Sequence, residues 1–164
     1  MLSLNKAFII ILSICVPAFG WTQSLNKSLD LSLKDKLGSM SIEVHVFEQT
    51  DSCRFAVQSY EWGAEGACPK KYIQSLEIKN GLHDLFVPIS VFSDLGNPTK
   101  VTLNKLTKLN QYVAVIEGGD AGSSYRAKII FNKDRLLQRS VESRSFPKEA
   151  NETTIYKFNF DTLR

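Results

Sequence analysis

The chain has 164 residues, of which 43% are apolar and 23% are charged, an ordinary composition for one globular domain. Its 20 basic and 17 acidic residues give a formal net charge of +3. This balance is too even to predict binding of nucleic acid or of a membrane surface from charge alone.

The first 20 residues predict a secretory signal peptide. Lys6 precedes an apolar run over 7–16, and small residues then offer a cleavage site after Gly20. The run is too short to span a membrane as a helix. We therefore expect residues 1–20 to be removed and a single domain over 21–164 to be periplasmic or secreted. An uncleaved anchor and a lipoprotein acylated at Cys15 are the alternatives.

Two cysteines follow the signal, and exported proteins keep cysteines oxidised, so the sequence predicts one disulfide between Cys53 and Cys68. Closing a loop of about 15 residues would contribute about 3 kcal/mol. The two Cα atoms must then lie within about 7 Å, so the chain has to turn before Trp62. A reactive or metal-binding thiol pair is the alternative, although no histidine lies near either cysteine in the sequence.

Ten short alternating runs lie between turn residues, and together they predict a fold of eight or nine strands and at most one short helix. The segment 28–33 alternates, but leucines at positions 25, 29, 33 and 37 are also spaced by four, so a strand and a helix are both possible and we favour a strand. The other runs cover 42–46, 53–59, 72–79, 82–87, 101–106, 111–117, 125–131, 136–141 and 154–160.

Turn residues between these runs predict their connections. Asn80-Gly81 separates two alternating runs and predicts a hairpin with a type I′ turn, which needs positive φ at both central residues. The runs 101–106 and 111–117 predict a second hairpin. Such close spacing favours antiparallel meander connections. The expected fold is all-β, an antiparallel β-sandwich or up-and-down barrel of about eight strands.

The sequence contains no catalytic, metal-binding or phosphate-binding motif that we can identify. His45 and His83 are each expected at the surface, and Glu117 and Asp120 lack the alternating ligands of a calcium loop. We therefore predict no enzyme activity, no metal and no cofactor. A hydrolase that uses one of the histidines in an unfamiliar site is an alternative.

The most distinctive stretch is a glycine-rich loop between the runs 111–117 and 125–131. Glycines allow backbone conformations closed to other residues, and a small polar loop that carries one aromatic ring suits entry into another molecule's cleft. Alternatively, Tyr125 packs inward as the first core residue of its strand, because it alternates with Ala127 and Ile129. The candidate loop residues are Gly118, Gly119, Asp120, Gly122, Ser123, Ser124 and Tyr125.

The stretch Ala121-Gly122-Ser123-Ser124-Tyr125, preceded by the turn Asp94-Leu95-Gly96-Asn97-Pro98, resembles part of the bacterial periplasmic lysozyme inhibitors of invertebrate-type and goose-type lysozymes. In that family a secreted β-sandwich inserts a Ser-Gly-x-Tyr-like loop into the active cleft of the enzyme. The resemblance implies an inhibitor with Ser123, Ser124 and Tyr125 at the tip.

The function expected from the sequence is therefore an exported binding protein whose partner is a protein, such as a cell-wall hydrolase. We expect neither nucleic-acid binding nor stable membrane insertion. A small-molecule or lipid-binding β domain is an alternative, because the run 111–117 is apolar on both faces. A structural component of the cell envelope is another.

Overall fold

A computed structural model describes residues 30–48, 62–64, 68–107, 110–148 and 151–158. Within these ranges, nine strands form two antiparallel sheets in meander order, β1-β2-β3-β4 and β5-β6-β7-β8-β9. The strands are β1 (Asp30–Leu37), β2 (Met40–Glu48), β3 (Lys71–Asn80), β4 (His83–Leu85), β5 (Pro98–Leu106), β6 (Gln111–Gly118), β7 (Tyr125–Phe131), β8 (Leu136–Ser143) and β9 (Asn151–Ile155). The all-β prediction is confirmed.

The two sheets pack on one shared hydrophobic core. Successive side chains of a strand point to opposite faces, so each alternating run buries one face and exposes the other. In β7, for example, Tyr125, Ala127, Ile129 and Phe131 are buried while the residues between them are half-buried. The apolar residues that alternate in the sequence thus form the inner face of the sandwich.

The lateral edges of the two sheets approach each other on both sides. On one side the backbone amide of Leu103 in β5 donates to the Asp35 carboxylate of β1 at 2.6 Å. On the other, the rings of Phe86 and Phe158, which follow β4 and β9, meet edge to face at 5.8 Å. Within the described ranges no ladder of strand pairing joins the sheets at either edge, so the strands there form a two-layered sandwich.

A buried ion-pair cluster fixes the crossover between the sheets. Arg139 of β8 is 2% exposed, and its guanidinium pairs with the carboxylates of Asp94 and Glu152. Asp94 lies on the segment that links β4 to β5, and Glu152 lies on β9. A buried guanidinium is tolerated only when it is paired. The cluster therefore ties the crossover to the far edge of the second sheet.

The predicted Asn-Gly hairpin forms, but its turn is displaced by one residue. Asn80 pairs with His83, so the two turn residues are Gly81 and Leu82. Gly81 has a φ of +62°, whereas Asn80 has no positive φ, so the predicted type I′ turn at Asn80-Gly81 is wrong. The Asn80 side chain instead accepts a hydrogen bond from the Ser39 hydroxyl at 2.9 Å.

Two further strand predictions need correction at their ends. The run 82–87 forms a strand only over His83–Leu85, because the chain turns at Pro88. The last strand begins and ends earlier than the predicted 154–160, since residues 151–155 pair with β8. The segment beginning at Asp30 is a strand and not a helix. The signal segment 1–20 lies outside the described residues, as does the predicted strand 53–59.

The meander order sorts the connections between the two ends of the sandwich. Tight turns at 38–39, 81–82 and 132–135 lie at one end, which we call the turn end. The longer connections lie at the opposite end, which we call the loop end. It comprises the described segments 68–71, 94–100, 119–124 and 144–148.

Candidate binding site

The glycine-rich loop leaves β6 at Gly118 and re-enters the sheet at Tyr125, and these two residues face each other in adjacent strands. A single 3₁₀ turn over Ala121–Ser123 forms its outer part. Asp120, Ala121 and Gly122 are exposed, whereas Ser123 and Ser124 are half-buried. The tip of the loop therefore consists of residues 120–122.

Tyr125 lies in the core and not at the tip. Its side chain is 0% exposed, and burial, with a smaller contribution from the nearby Asp94 carboxylate, raises the pKa of its hydroxyl. No described residue forms a hydrogen bond with that hydroxyl. The inward-packing alternative for Tyr125 is the one the structure adopts, so the placement of Tyr125 at the loop tip is wrong.

The Tyr125 ring explains why glycine occupies position 118. A Cβ atom built on Gly118 would lie 2.5 Å from the Tyr125 hydroxyl oxygen and 2.7 Å from its ring. The next residue, Gly119, has a φ of +73°, which ordinary side chains rarely adopt. The chain can therefore fold back over the ring at these two positions, and Tyr125 anchors the loop from below.

Hydrogen bonds within the loop engage both serine hydroxyls. The Ser123 hydroxyl donates to the Asp120 carbonyl at 2.9 Å and also lies 3.1 Å from the Asp120 carboxylate. The Ser124 hydroxyl donates to the Ala121 carbonyl at 3.0 Å. These bonds close the outer part of the loop on itself. They also leave the serine hydroxyls less available to a partner than the sequence suggested.

The turn after β8 packs beside the loop and widens the surface. The Arg144 amide donates to the Ser124 carbonyl at 2.9 Å, and the Ser145 hydroxyl donates to the Ala121 carbonyl at 2.8 Å. The next residue, Phe146, is 54% exposed, and its amide donates to the Ser143 hydroxyl at 2.9 Å. An exposed aromatic ring therefore lies next to the loop, on a residue that the sequence analysis did not select.

A groove of about 520 Å³ borders the other side of the loop. On this side the Asn97 amide donates to the Lys71 carbonyl at 2.6 Å, and the Asn97 carbonyl accepts from the Gly119 amide at 3.0 Å. The Asn97 side-chain amide donates to the Gly63 carbonyl at 2.7 Å. Lys70, Lys71 and the Asp120 carboxylate line the groove. The loop is thus braced on two sides, by Asn97 and by the 144–148 turn.

The charges at the base of the loop are coupled. The Arg126 guanidinium donates to the Glu117 carboxylate at 2.9 Å and lowers the pKa of that carboxyl. The positive charges of Arg144 and Lys100 lower the same pKa further. Glu117 is therefore a paired carboxylate at the edge of this surface and is not available as a general acid near neutral pH.

The other sequence candidates lie elsewhere. His45 is on the outer face of the first sheet, with its Nε2 atom 3.4 Å from the Glu43 carboxylate, and His83 is exposed at the turn end. In the described ranges no group of three metal-ligating side chains occurs, and no helix is long and apolar enough to cross a membrane. Cys53 lies outside the described residues, so its disulfide with Cys68 stays a prediction.

No protein-family model matches this chain, and no curated protein or solved structure is detectably similar to it. The resemblance to the periplasmic lysozyme inhibitors therefore stays a prediction that depends on the loop residues.

Proposed function

We propose that this chain is an exported binding protein that uses its loop end to block a partner enzyme, a cell-wall hydrolase such as a lysozyme. The observation that supports the proposal is the preformed loop. Its exposed residues, 120–122, are small, its hydroxyls close it internally, and the buried Tyr125 anchors it.

A preformed loop suits this role for an energetic reason. Ordering a flexible loop on binding reduces the affinity, whereas a loop that is already fixed avoids that loss. Residues 120–122 are also narrow enough to enter a cleft. The contact they offer consists of backbone groups and the exposed Asp120 side chain, one carboxylate oxygen of which already accepts a hydrogen bond from the Ser123 hydroxyl.

Inhibition assays test the proposal directly. The purified protein, in micromolar excess, is mixed with goose-type and invertebrate-type lysozymes, and the lysis of a bacterial cell-wall suspension is measured. We expect inhibition of at least one enzyme. Gly122→Trp should abolish it by adding bulk at the tip, whereas Leu82→Trp at the turn end should not. Undiminished lysis with every enzyme would exclude the proposed function as a lysozyme inhibitor.

Export is tested separately. We expect the protein in the extracytoplasmic fraction, with an N-terminus at Trp21 and no free thiol at Cys53 or Cys68. Fractionation, N-terminal sequencing and a thiol assay on the denatured protein measure these three properties. An intact chain in the cytosol with both thiols reduced would contradict the proposal.

A small-molecule or lipid-binding role is the second candidate, and the two faces of β6 favour it. Tyr112, Ala114 and Ile116 lie in the core, while Val113 and Val115 are half-buried on the outer face. Native mass spectrometry of the purified protein would detect a bound species, and a bare polypeptide mass would count against this role.

A further inference from the structure

The Asn80-Gly81 pair at the turn end carries a chemical reactivity of its own. Asn80 is the one asparagine in the sequence that a glycine follows. The side-chain carboxamide of an asparagine can be attacked by the backbone nitrogen of the next residue. Glycine permits this attack best, because it has no side chain to obstruct the approach and its backbone adopts many conformations. The sequence therefore contains one position that is prone to spontaneous deamidation.

Deamidation at this position needs only water. The Gly81 nitrogen loses its proton and forms a bond to the Asn80 Cγ atom, while the bond from Cγ to the side-chain nitrogen breaks and ammonia leaves with that proton. The product is a cyclic succinimide. Water then opens the ring at one of its two carbonyls, which gives aspartate or isoaspartate at position 80. The reaction requires no oxidant, cofactor or partner protein.

Two hydrogen bonds to Ser39 hold the reacting groups apart in the folded protein. Ser39 lies in the neighbouring turn, between β1 and β2. Its hydroxyl donates to the Asn80 side-chain oxygen at 2.9 Å, and its carbonyl accepts from the Gly81 amide at 2.8 Å. The proton that has to leave Gly81 is therefore engaged, and the Asn80 carboxamide is held toward the neighbouring turn.

The backbone at Asn80 also opposes ring closure. Asn80 is the last residue of β3 and pairs with Met40 on one side and His83 on the other. In an extended residue the next backbone nitrogen points away from Cβ, whereas the succinimide ring needs both atoms on the same side of the Cα–C bond. Because the turn is displaced by one residue, Gly81 takes the positive φ and Asn80 stays extended.

We infer that Asn80 is a deamidation site that the fold keeps unreactive, and that Ser39 is the residue that protects it. Access of water does not limit the reaction, since Ser39 and Gly81 are exposed and Asn80 is half-buried. Ring closure instead requires a local opening of the turn end in which both hydrogen bonds to Ser39 break.

The modification would change the structure of the first sheet. Isoaspartate places the former Cβ atom in the main chain, so the backbone becomes longer at the junction of β3 and β4. The pairing of position 80 with His83 could not be kept. β4 has only three residues, and its buried Leu85 contributes to the core, so the core would lose this side chain together with the strand.

Matched serine variants test the inference. The purified protein is incubated at neutral pH, and peptide mapping by mass spectrometry measures the fraction of Asn80 converted with time. Chromatographic retention separates the aspartate and isoaspartate peptides. Ser39→Ala removes the protecting hydroxyl. Its control, Ser41→Ala, removes a hydroxyl from β2 at a position that pairs with Lys79 and not with Asn80. Samples unfolded in guanidinium chloride give the rate of the open chain.

We expect conversion to be at least about tenfold slower in the folded protein than in the unfolded chain, because reaction then requires local opening. Ser39→Ala should raise the rate in the folded protein by about two- to tenfold, the factor that corresponds to the loss of one hydrogen bond. It should leave the rate in the unfolded chain unchanged. Ser41→Ala should behave like the unmodified protein in both conditions.

Other results would overturn the inference. Equal rates in the folded and unfolded protein would show that the fold does not protect Asn80, and no conversion in the unfolded chain would show that Asn80 is not a deamidation site. A slower rate in Ser39→Ala would mean that the hydroxyl activates the carboxamide, and an unchanged rate would mean that it has no part. Each of these results leaves the proposed function intact, because the binding loop lies at the opposite end of the sandwich.

Discussion

The hydroxyl of Tyr125 offers a sharp test of how the loop is anchored. The ring is fully buried over Gly118, yet its oxygen forms no hydrogen bond with any described residue. A buried polar group without a partner costs about 1–3 kcal/mol of desolvation. Because Tyr125→Phe removes that oxygen and keeps the ring, it should increase the free energy of unfolding by about 1–3 kcal/mol at pH 7.

The same hydroxyl makes the effect depend on pH. Burial raises the pKa of Tyr125 above its usual value near 10, so above that pH the unfolded chain loses this proton while the folded chain keeps it. Below pH 10 the hydroxyl is neutral in both states, so its ionisation does not affect stability, whereas above pH 10 the unmodified protein loses stability as the pH rises. The advantage of Tyr125→Phe over the unmodified protein should therefore grow by about 1.4 kcal/mol for each pH unit above 10.

Urea unfolding followed by tryptophan fluorescence at pH 7 and at pH 11 measures both effects. Tyr125→Ala is the companion variant, and it should lower stability by about 3–5 kcal/mol because it leaves a cavity in the core. A loss of more than about 1 kcal/mol in Tyr125→Phe at pH 7 would show that the hydroxyl is satisfied in the folded protein.

Three other substitutions test the contacts around the loop. Gly118→Ala should lower the thermal midpoint and weaken enzyme inhibition, because the new methyl group would collide with Tyr125; unchanged values would contradict the close approach. Arg139→Ala should lower the free energy of unfolding in urea by about 3–5 kcal/mol, since it leaves two carboxylates without their partner. An unchanged free energy of unfolding would refute the role of the cluster. Glu117→Gln should flatten the acid limb of the stability curve. The lowered pKa of Glu117 means that its pairing with Arg126 stabilises the fold above the unfolded pKa and is lost as the pH falls, so identical acid limbs would contradict that pairing.

The inner face of the sandwich could be predicted from the sequence because its signal is local. A strand with one buried face must alternate, and a slip of one residue would expose the whole apolar set. The alternation of Tyr125 with Ala127 and Ile129 indicated that the tyrosine is buried, whereas the resemblance to an inhibitor loop placed it at the surface. The alternation of the strand therefore predicted the position of Tyr125 correctly.

The remainder of the site depends on contacts between distant parts of the chain. Phe146 is exposed because Ser145 and Ser124 hold its turn against the loop, and no pattern within residues 143–153 encodes that packing. The displaced hairpin turn has a similar cause, because the side chain of Asn80 is engaged by Ser39 from the neighbouring turn. Both features require knowledge of which segments meet in three dimensions.

The tight turns and the longer connections lie at opposite ends of the sandwich, which has a consequence for protein engineering and for evolutionary divergence of the sequence. The buried, alternating face of each strand fixes its register, and the longer connections at the loop end are surface segments of the kind that tolerate changes of sequence. Randomised libraries of residues 120–122 and 144–148 could therefore be displayed together on an unchanged framework. Selection from such libraries could redirect the protein toward new targets while the sandwich beneath stays constant.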